Sequence, residues 1–364
     1  MAALNNEKRP AREFPVLVSP AGNLDKLRAA VRYGAHEVYF GGEGFNLRSQ
    51  AGNVGSGELA ESCDFARAHN AKTVFLLNAF LHEHEISAAR AYMREVAAFP
   101  FDALMISDPG MLMLVREEGI TAPLHLSTQM STLNHLAVKF WTGMGVTRIV
   151  LAREVTLDEV KRIREHTDTE LEMFVHGALC IAYSGRCLLS RYMTGRDANR
   201  GSCAHPCRWR YSLTEQTRPG EEFPVVEHAR GTEILSSRDL CLIERLPDYV
   251  RAGVSAFKIE GRMKSAYYAA NVTRVYRNAL DTIAAGGDYA AHLPFWREEL
   301  DLVSHRPYTD DLFNEFGTGG FDGVPYINRA EFMAAWEGPG ADSFSAFMKA
   351  YNPVYADDRL EAIF

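Results

Sequence analysis

Eight short apolar runs, each followed by a stretch with helical periodicity, constrain the fold of this chain more than any other feature. Each run is too short and too continuous to be an exposed amphipathic helix, so each is predicted to be a buried strand. The runs are Pro15–Val18, Glu37–Phe40, Thr73–Leu77, Ala103–Ile106, Leu124–Leu126, Arg148–Leu151, Leu171–Val175 and Ala256–Ile259. Eight βα units favour an α/β fold of the TIM-like (β/α)8 barrel type, with an open doubly wound sheet as the main alternative.

The segments that follow the predicted strands are rich in glycine and polar side chains. In a closed barrel these segments share one rim, where barrel enzymes carry their active sites. The candidate substrate-binding residues near this rim are Tyr39, Asn78, Gln129, Arg153, Lys258 and Arg262. The candidate catalytic residues are Glu154, His176 and Glu260, because a histidine or a buried carboxylate at a strand end can carry a proton. Arg153, Glu260 and Arg262 could instead simply pair in a salt-bridge network.

The connection after the seventh run is abnormally long, and residues 176–231 are predicted to form an ordered functional insertion. It contains Cys180, Cys187, Cys203 and Cys207. Four crowded thiols in a reducing compartment are more typical of a metal site than of disulfides. The wide first spacing fits structural zinc poorly and an iron–sulfur cluster better, with zinc and reactive or buried thiols as alternatives. Cys63 and Cys241 lie in helical patterns and are predicted core residues, with Cys241 as a reserve ligand.

Arginines are concentrated in the same insertion. Residues 176–212 contain six arginines and one acid, a charge of +5 in a chain whose net charge is −8. A basic island in an acidic protein indicates a local anion site rather than general nucleic-acid affinity. Arg186 and Arg208 are therefore candidate substrate-binding residues, and an arginine-rich surface loop is the alternative.

The composition excludes a disordered or membrane protein, because 47% of the 364 residues are hydrophobic and no long apolar run occurs. No secretory signal is recognised at the start, so a cytoplasmic location is expected. Residues 1–12 are predicted to be a disordered tail and residues 13–285 the barrel with its insertion. Residues 286–364 are predicted to be a short, irregular C-terminal extension that packs on the barrel. The sequence His82–Glu85 places its two histidines on different helix faces, which favours a solvated turn over a metal site.

Seven sequence blocks together resemble the collagenase-like peptidase family U32, and the match spans about Val16 to Ala285. The blocks are Ser19–Leu24, Val38–Gly42, Met105–Gly110, Val175–Cys180, Ser184–Ser190, Cys203–Trp209 and Lys258–Arg262. Within that family the chain is most similar to the bacterial hydroxylases of the tRNA wobble uridine and of ribosomal RNA. Members were named as peptidases, but the better understood ones are oxygen-independent hydroxylases that carry an iron–sulfur cluster and depend on prephenate.

The resemblance implies a hydroxylase of an RNA base, with tRNA as substrate and prephenate as possible co-substrate. By resemblance, Cys180, Cys187, Cys203 and Cys207 would be the ligands of a cluster of the 4Fe–4S type. Arg186, Arg208 or Arg262 could bind the carboxylates of the donor, and Tyr39, Tyr183, Tyr192 and Trp209 could stack on an exposed base. A protein partner is possible because relatives act in pairs, whereas no membrane or DNA partner is expected.

A peptidase is the alternative function. The sequence contains no Gly-x-Ser-x-Gly elbow and no His-Glu-x-x-His helix. A cysteine protease that uses Cys203 or Cys207 beside His205 is conceivable, although four clustered thiols argue against it.

Overall fold

The computed structural model describes residues 14–47, 52–180, 182, 185–208, 213–214, 222–223, 226–228, 231–233, 238–310, 326–330, 333–339, 346–350 and 352–353. The predictions for residues 1–12, for Tyr183 and Trp209 and for the side chain of Arg208 lie outside what is described. No helix in the described ranges is long and apolar enough to cross a lipid bilayer.

A closed barrel of eight parallel strands forms the centre of the protein, which confirms the predicted fold and excludes the open sheet. The strands are β1 (Val16–Pro20), β2 (Glu37–Phe40), β3 (Lys72–Leu77), β4 (Ala103–Ile106), β5 (Leu124–Leu126), β6 (Val146–Val150), β7 (Glu170–Ala178) and β13 (Ala256–Ile259). Each strand pairs with the next, and β13 pairs in parallel with both β7 and β1. These two pairings close the ring.

Helices follow the barrel strands as the sequence periodicity predicts. They are α1 (Leu24–Arg32), α2 (Leu59–Ala68), α3 (Ile86–Val96), α4 (Pro109–Glu117), α5 (His135–Gly143), α6 (Leu157–Arg164), α7 (Leu189–Thr194), α8 (Leu246–Arg251), α9 (Ala266–Ala284) and α10 (Tyr289–Asp301). Asn23 caps α1, as predicted, by accepting a hydrogen bond from the Lys26 backbone N–H. Thr156 and Glu159 form a capping box at the start of α6. Local sequence signals therefore fix where these helices begin.

The remaining strands either extend the barrel sheet or form separate two-stranded sheets. They are β8 (Leu213–Thr214), β9 (Glu222–Phe223), β10 (Val226–His228), β11 (Gly231–Glu233), β12 (Asp239–Cys241), β14 (Tyr308–Thr309), β15 (Ala334–Pro339) and β16 (Ala346–Ala350). β12 pairs antiparallel with the end of β7, and β14 pairs in parallel with β12. The helical pattern assigned to Cys241 is therefore corrected, because this residue lies in a strand. The extension expected to be irregular contains α10 and β14, and β14 joins it to the barrel sheet.

Charged side chains fill part of the barrel interior. Arg148 on β6 donates to both carboxylate oxygens of Glu37 at 2.5 and 3.0 Å and to Glu170 at 2.7 Å. Glu172 on β7 accepts from Arg148 at 3.2 Å and from Lys258 on β13 at 2.7 Å. The side chains of Arg148, Glu37, Glu172 and Lys258 are at most 3% exposed. This interior ion network, as we call these five residues, replaces part of the aliphatic layers that usually fill such barrels.

Candidate functional site

The insertion lies across the carboxyl-terminal mouth of the barrel. A Cβ atom at Gly185 would lie 2.3 Å from the carbonyl oxygen of Gln129, which follows β5. A Cβ atom at Gly201 would lie 2.8 Å from the backbone after β2. Between these contacts, Arg200 forms an ion pair with Glu85, which follows β3. The solvated turn predicted for the His82–Glu85 stretch is thus one of the points that hold the insertion on the mouth.

Hydrogen bonds inside the insertion join the segment around Cys187 to the segment that contains Cys203 and Cys207. The buried hydroxyl of Ser190 on α7 accepts from the backbone N–H of Ala204 at 3.0 Å. The side chain of Asn199 donates to the carbonyl oxygen of Cys187 at 2.9 Å, and Asp197 accepts from the backbone N–H of Asn199 at 2.9 Å. These bonds hold the segment around Cys187 against the segment that begins at Cys203.

All four cysteines of the insertion carry free thiols, and none of them is buried. A guanidinium N–H of Arg153 approaches the sulfur of Cys180 at 3.8 Å, and the backbone N–H of His205 donates to the sulfur of Cys203 at 3.4 Å. Four accessible thiols with N–H donors beside two of them are a donor set of the kind that holds an iron–sulfur cluster. Within the described ranges, no three His, Cys, Asp or Glu side chains lie close enough together to hold a metal ion. A cluster would therefore have to draw these thiols together.

The two other cysteines occupy a different environment. Burial raises the pKa of the Cys63 thiol to about 11, and Cys63 packs in the core under α2. Burial also raises the pKa of Cys241 to about 11. Its sulfur lies 3.8 Å from the hydroxyl of Tyr276. Both thiols stay protonated near neutral pH, as expected of packing residues rather than ligands.

Arg153 connects the cysteines with the barrel rim. Its guanidinium lies over the ring of Phe174, 4.3 Å from the ring centroid, and 3.7 Å from the carboxylate of Glu260. The ion pair that the sequence offered as an alternative is therefore present for these two residues. Because stacking and charge both hold the guanidinium, Arg153 presents its N–H groups in a fixed direction beside Cys180.

A cleft opens beside Arg153, between the segment after β6 and the segment after β12. The cleft is small and open to solvent on one side, and Arg153, Glu154, Phe174, Arg245 and Tyr249 contribute to its walls. Glu154 is 8% exposed, and one of its carboxylate oxygens has no hydrogen-bond partner among the described residues. A carboxylate of a ligand could bind the guanidinium groups of this wall, and a hydroxyl group of the same ligand could donate a hydrogen bond to Glu154.

Arg245 is a site residue that the sequence did not reveal. It follows β12, and its guanidinium lies 3.4 Å from the carboxylate of Asp310 and 5.9 Å from the ring centroid of Tyr249. The available signal was the apolar run Leu240–Ile243, whose first two residues lie in β12 and which ends two positions before Arg245. Because the sequence around Cys241 was interpreted as a helix, Arg245 was not recognised as a residue near the site.

Two of the predicted substrate-binding residues, Arg262 and Asn78, bind the loop after β2. Arg262 donates to the side-chain oxygens of Asn46 at 3.2 Å and Asn53 at 2.6 Å. Asn78 accepts from the backbone N–H of Leu47 at 3.2 Å. Arg262 is 3% exposed, and Asn78 is also buried. These two residues therefore hold the loop after β2 in place.

Lys258 and Tyr39 lie deeper. The Lys258 ammonium is 4.1 Å from the centroid of the Tyr39 ring, and it pairs with Glu172. The Tyr39 hydroxyl donates to the carbonyl oxygen of Ile259 at 2.9 Å. Gln129, by contrast, lies at the contact with the insertion. Tyr39 and Lys258 thus belong to the interior below the mouth, which leaves Arg153, Glu154 and Glu260 as the predicted polar residues nearest the cleft.

His176 faces away from the mouth. β7 carries a bulge, because Lys258 pairs with Phe174 while the next residue of β13 pairs with His176. The bulge directs the His176 ring outward, where it lies 5.4 Å from the Tyr276 ring. Burial lowers the pKa of His176 to about 3. The structure therefore does not support the predicted role of His176 as a proton carrier at the site.

Acid should destabilise the protein partly through His176. Its pKa is about 3 in the folded protein and near 6.5 in an unfolded chain, so the unfolded state binds the proton first. The free energy of unfolding should fall between about pH 6.5 and 3, by up to about 1.4 kcal/mol per unit. In His176→Phe this contribution should disappear. Urea unfolding of both proteins at neutral pH and near pH 4.5 measures it, and equal pH dependence would contradict the assignment.

The chain matches known proteins over most of its length. Residues 22–318 match the family model described as "Peptidase family U32". The chain is 39% identical to "tRNA hydroxylation protein P1" of Bacillus subtilis, over 88% of this chain and 76% of that protein. It is 37% identical to the 23S rRNA 5-hydroxycytidine synthase of Escherichia coli, over 85% of this chain and 47% of that protein. A protein of Porphyromonas gingivalis named "Collagenase" is 31% identical, over 82% of this chain and 73% of that protein. The chain therefore belongs to peptidase family U32, as its sequence blocks suggested.

Proposed function

We propose that this chain is an oxygen-independent hydroxylase of an RNA base, of the tRNA uridine type. The observation that carries the proposal is its similarity to proteins named for the hydroxylation of tRNA and of ribosomal RNA. The similarity to the tRNA protein spans 88% of the chain. We further propose a cytoplasmic location, where tRNA is available. A protein partner is also part of the proposal.

The cleft beside the mouth supports a small organic co-substrate. Arg153 and Arg245 place two guanidinium groups on its wall. Each pairs with one carboxylate of the chain, Glu260 or Asp310, and each has further N–H groups that can bind a ligand carboxylate. The unpartnered oxygen of Glu154 would accept a hydrogen bond from a hydroxyl group of the same molecule. A prephenate-like acid, which carries two carboxylates and a hydroxyl, has this chemistry.

Cys180, Cys187, Cys203 and Cys207 are the residues that would hold a 4Fe–4S cluster. When bound, such a cluster supplies one-electron transfer. The chain itself contributes the positive charge of Arg153 beside Cys180 and the backbone N–H that reaches Cys203, and both would offset the negative charge of a bound cluster.

The two carboxylates near the cleft have different proposed roles, and only one of them transfers protons. Glu260 lies 3.7 Å from Arg153, and the attraction between the two charges fixes the position of its carboxylate. Glu154 has an oxygen with no hydrogen-bond partner among the described residues, so this oxygen can accept a proton or hydrogen bond from substrate. We propose Glu154 as the base and Glu260 as the residue that orients Arg153.

A peptidase is the second candidate, because a relative is named "Collagenase". His205 meets Cys203 through its backbone N–H, which does not activate a thiol as a ring nitrogen would. Gelatin degradation that survives substitution of all four insertion cysteines would favour a peptidase that does not use them.

The function is tested by deleting the gene and complementing the deletion. We expect one hydroxylated pyrimidine nucleoside to disappear from digests of total RNA, as measured by mass spectrometry. The wild-type gene and Cys63→Ala, which alters a core cysteine, should restore it, whereas Cys203→Ser should not. Wild type and Cys63→Ala purified without oxygen should contain iron and sulfide that Cys203→Ser lacks. An unchanged nucleoside profile would contradict the RNA substrate, and stoichiometric zinc would contradict the cluster.

A further inference from the structure

Helix α7 exposes large apolar side chains within the insertion. The exposed fractions are 87% for Tyr192, 68% for Leu188 and 40% for Met193. Monomeric proteins carry single exposed apolar residues without consequence, but three within six residues form a patch that favours contact with another molecule. We call Leu188, Tyr192 and Met193 the α7 patch.

The opposite face of α7 is fixed to the cysteine segments. Ser190 is completely buried and accepts from the backbone N–H of Ala204 at 3.0 Å. Residues two positions apart lie about 200° apart around a helix, so Tyr192 points away from Ser190. Leu188 and Tyr192 are four positions apart and share the outer face. The α7 patch is therefore held rigidly, and it begins one residue after Cys187.

Two exposed arginines, Arg191 and Arg196, lie close to the patch along the chain. Arg191 is exposed on α7 and pairs with Asp197 at 3.2 Å, and Arg196 is anchored by a bond from its Nε to the carbonyl oxygen of Ser202 at 3.1 Å. Asp197 is the one acid among residues 176–212, against six arginines. An exposed tyrosine among arginines has the composition of surfaces that stack a base and contact phosphates.

We propose that the α7 patch docks a single-stranded segment of RNA, with a base stacked on Tyr192 and the neighbouring phosphates facing Arg191 and Arg196. The inference deepens the proposed function and rests on it for the identity of the nucleic acid. A paired duplex hides the faces of its bases, so it cannot use the tyrosine. A protein partner could use the same tyrosine and arginines, so it is one of the outcomes that the experiment distinguishes.

The affinity of the full-length protein for RNA tests this proposal. The probes are a fluorescein-labelled RNA hairpin with an unpaired loop and a fully paired duplex of equal length, measured by fluorescence anisotropy. Tyr192→Ala should weaken hairpin binding about 5- to 100-fold, the range expected when one stacked base is lost. Its affinity for the duplex should stay unchanged. Tyr192→Phe should bind the hairpin like wild type.

Phe140→Ala provides the matched control, because Phe140 on α5 is 61% exposed and lies outside the insertion. It should leave hairpin affinity unchanged. Wild-type hairpin affinity in Tyr192→Ala, with the nucleoside still lost on gene deletion, would overturn the docking surface while the proposed function stands. Weakened hairpin binding with no nucleoside lost would support the surface and contradict hydroxylation. Unchanged RNA affinity with loss of a copurifying protein would assign the patch to a protein partner and overturn the proposal.

Discussion

Replacing Arg148 with methionine is expected to lower the free energy of unfolding by about 3–5 kcal/mol, the usual cost of removing one partner from a buried ion pair. Arg148 bonds Glu37, Glu170 and Glu172 at once. Without it, Glu37 and Glu172 would remain buried in the barrel after losing their shared guanidinium, while Lys258 still pairs with Glu172. Urea unfolding at neutral pH measures the loss. Methionine keeps most of the volume of the side chain, so a cavity adds little.

Two further variants identify charge as the cause. Glu170→Gln removes the partner whose side chain is 27% exposed, and we expect a cost of at most about 1 kcal/mol because water can replace the pair. Adding Glu37→Gln to Arg148→Met should recover part of the lost stability, since one uncompensated carboxylate is removed. If the double variant is instead less stable than Arg148→Met by the full cost of Glu37→Gln alone, the two side chains are not coupled.

The sequence predicted the barrel because buried parallel strands appear as continuous apolar runs. The ranges Glu37–Phe40, Ala103–Ile106, Leu124–Leu126 and Ala256–Ile259 agree with the observed strands at both ends. Helix starts were recognisable where a cap residue was present, as at Asn23. These signals are local, so a single sequence is enough to read them.

Features that depend on distant pairing escaped the sequence. β12 is three residues long and is a strand because it pairs with β7 and β14. The bulge in β7 comes from its register against β13, and it turns His176 outward although alternation alone places this residue on the face of Phe174. Helix α10 contains Pro294, which interrupts a helical pattern in the sequence.

The candidate site shows the same division. The cysteines and Arg153 stood out by residue type and spacing, and Arg153 indeed joins Cys180 and Glu260. Lys258 also stood out, but its ammonium is paired inside the barrel. A charged residue near a strand end points into the barrel or towards the rim according to strand register. The direction of such a side chain can therefore be read only from the strand register in the closed barrel.

Gly201→Ala is expected to detach the insertion from the barrel mouth and to abolish most of the proposed hydroxylation. Gly201 has φ +84°, and an added Cβ would lie 2.8 Å from the backbone oxygen of Asn46 and 2.8 Å from the backbone carbon of Leu47. Arg262 holds Asn46 in place, so the loop cannot easily move aside. Backbone strain and overpacking together should weaken docking by about 2–4 kcal/mol.

Gly195→Ala is the control, because Gly195 has φ +74° but nothing within 4 Å of the added Cβ. It should carry the conformational strain alone, at about 1–2 kcal/mol. The rate of limited proteolysis within the insertion reports the undocked fraction, and it should rise at least about tenfold more in Gly201→Ala than in Gly195→Ala. Far-ultraviolet circular dichroism should show an intact barrel in both. Equal proteolysis of the two variants would mean that the insertion is not seated on the loop after β2. If proteolysis is equal but only Gly201→Ala loses nucleoside hydroxylation, undocking of the insertion does not explain that loss.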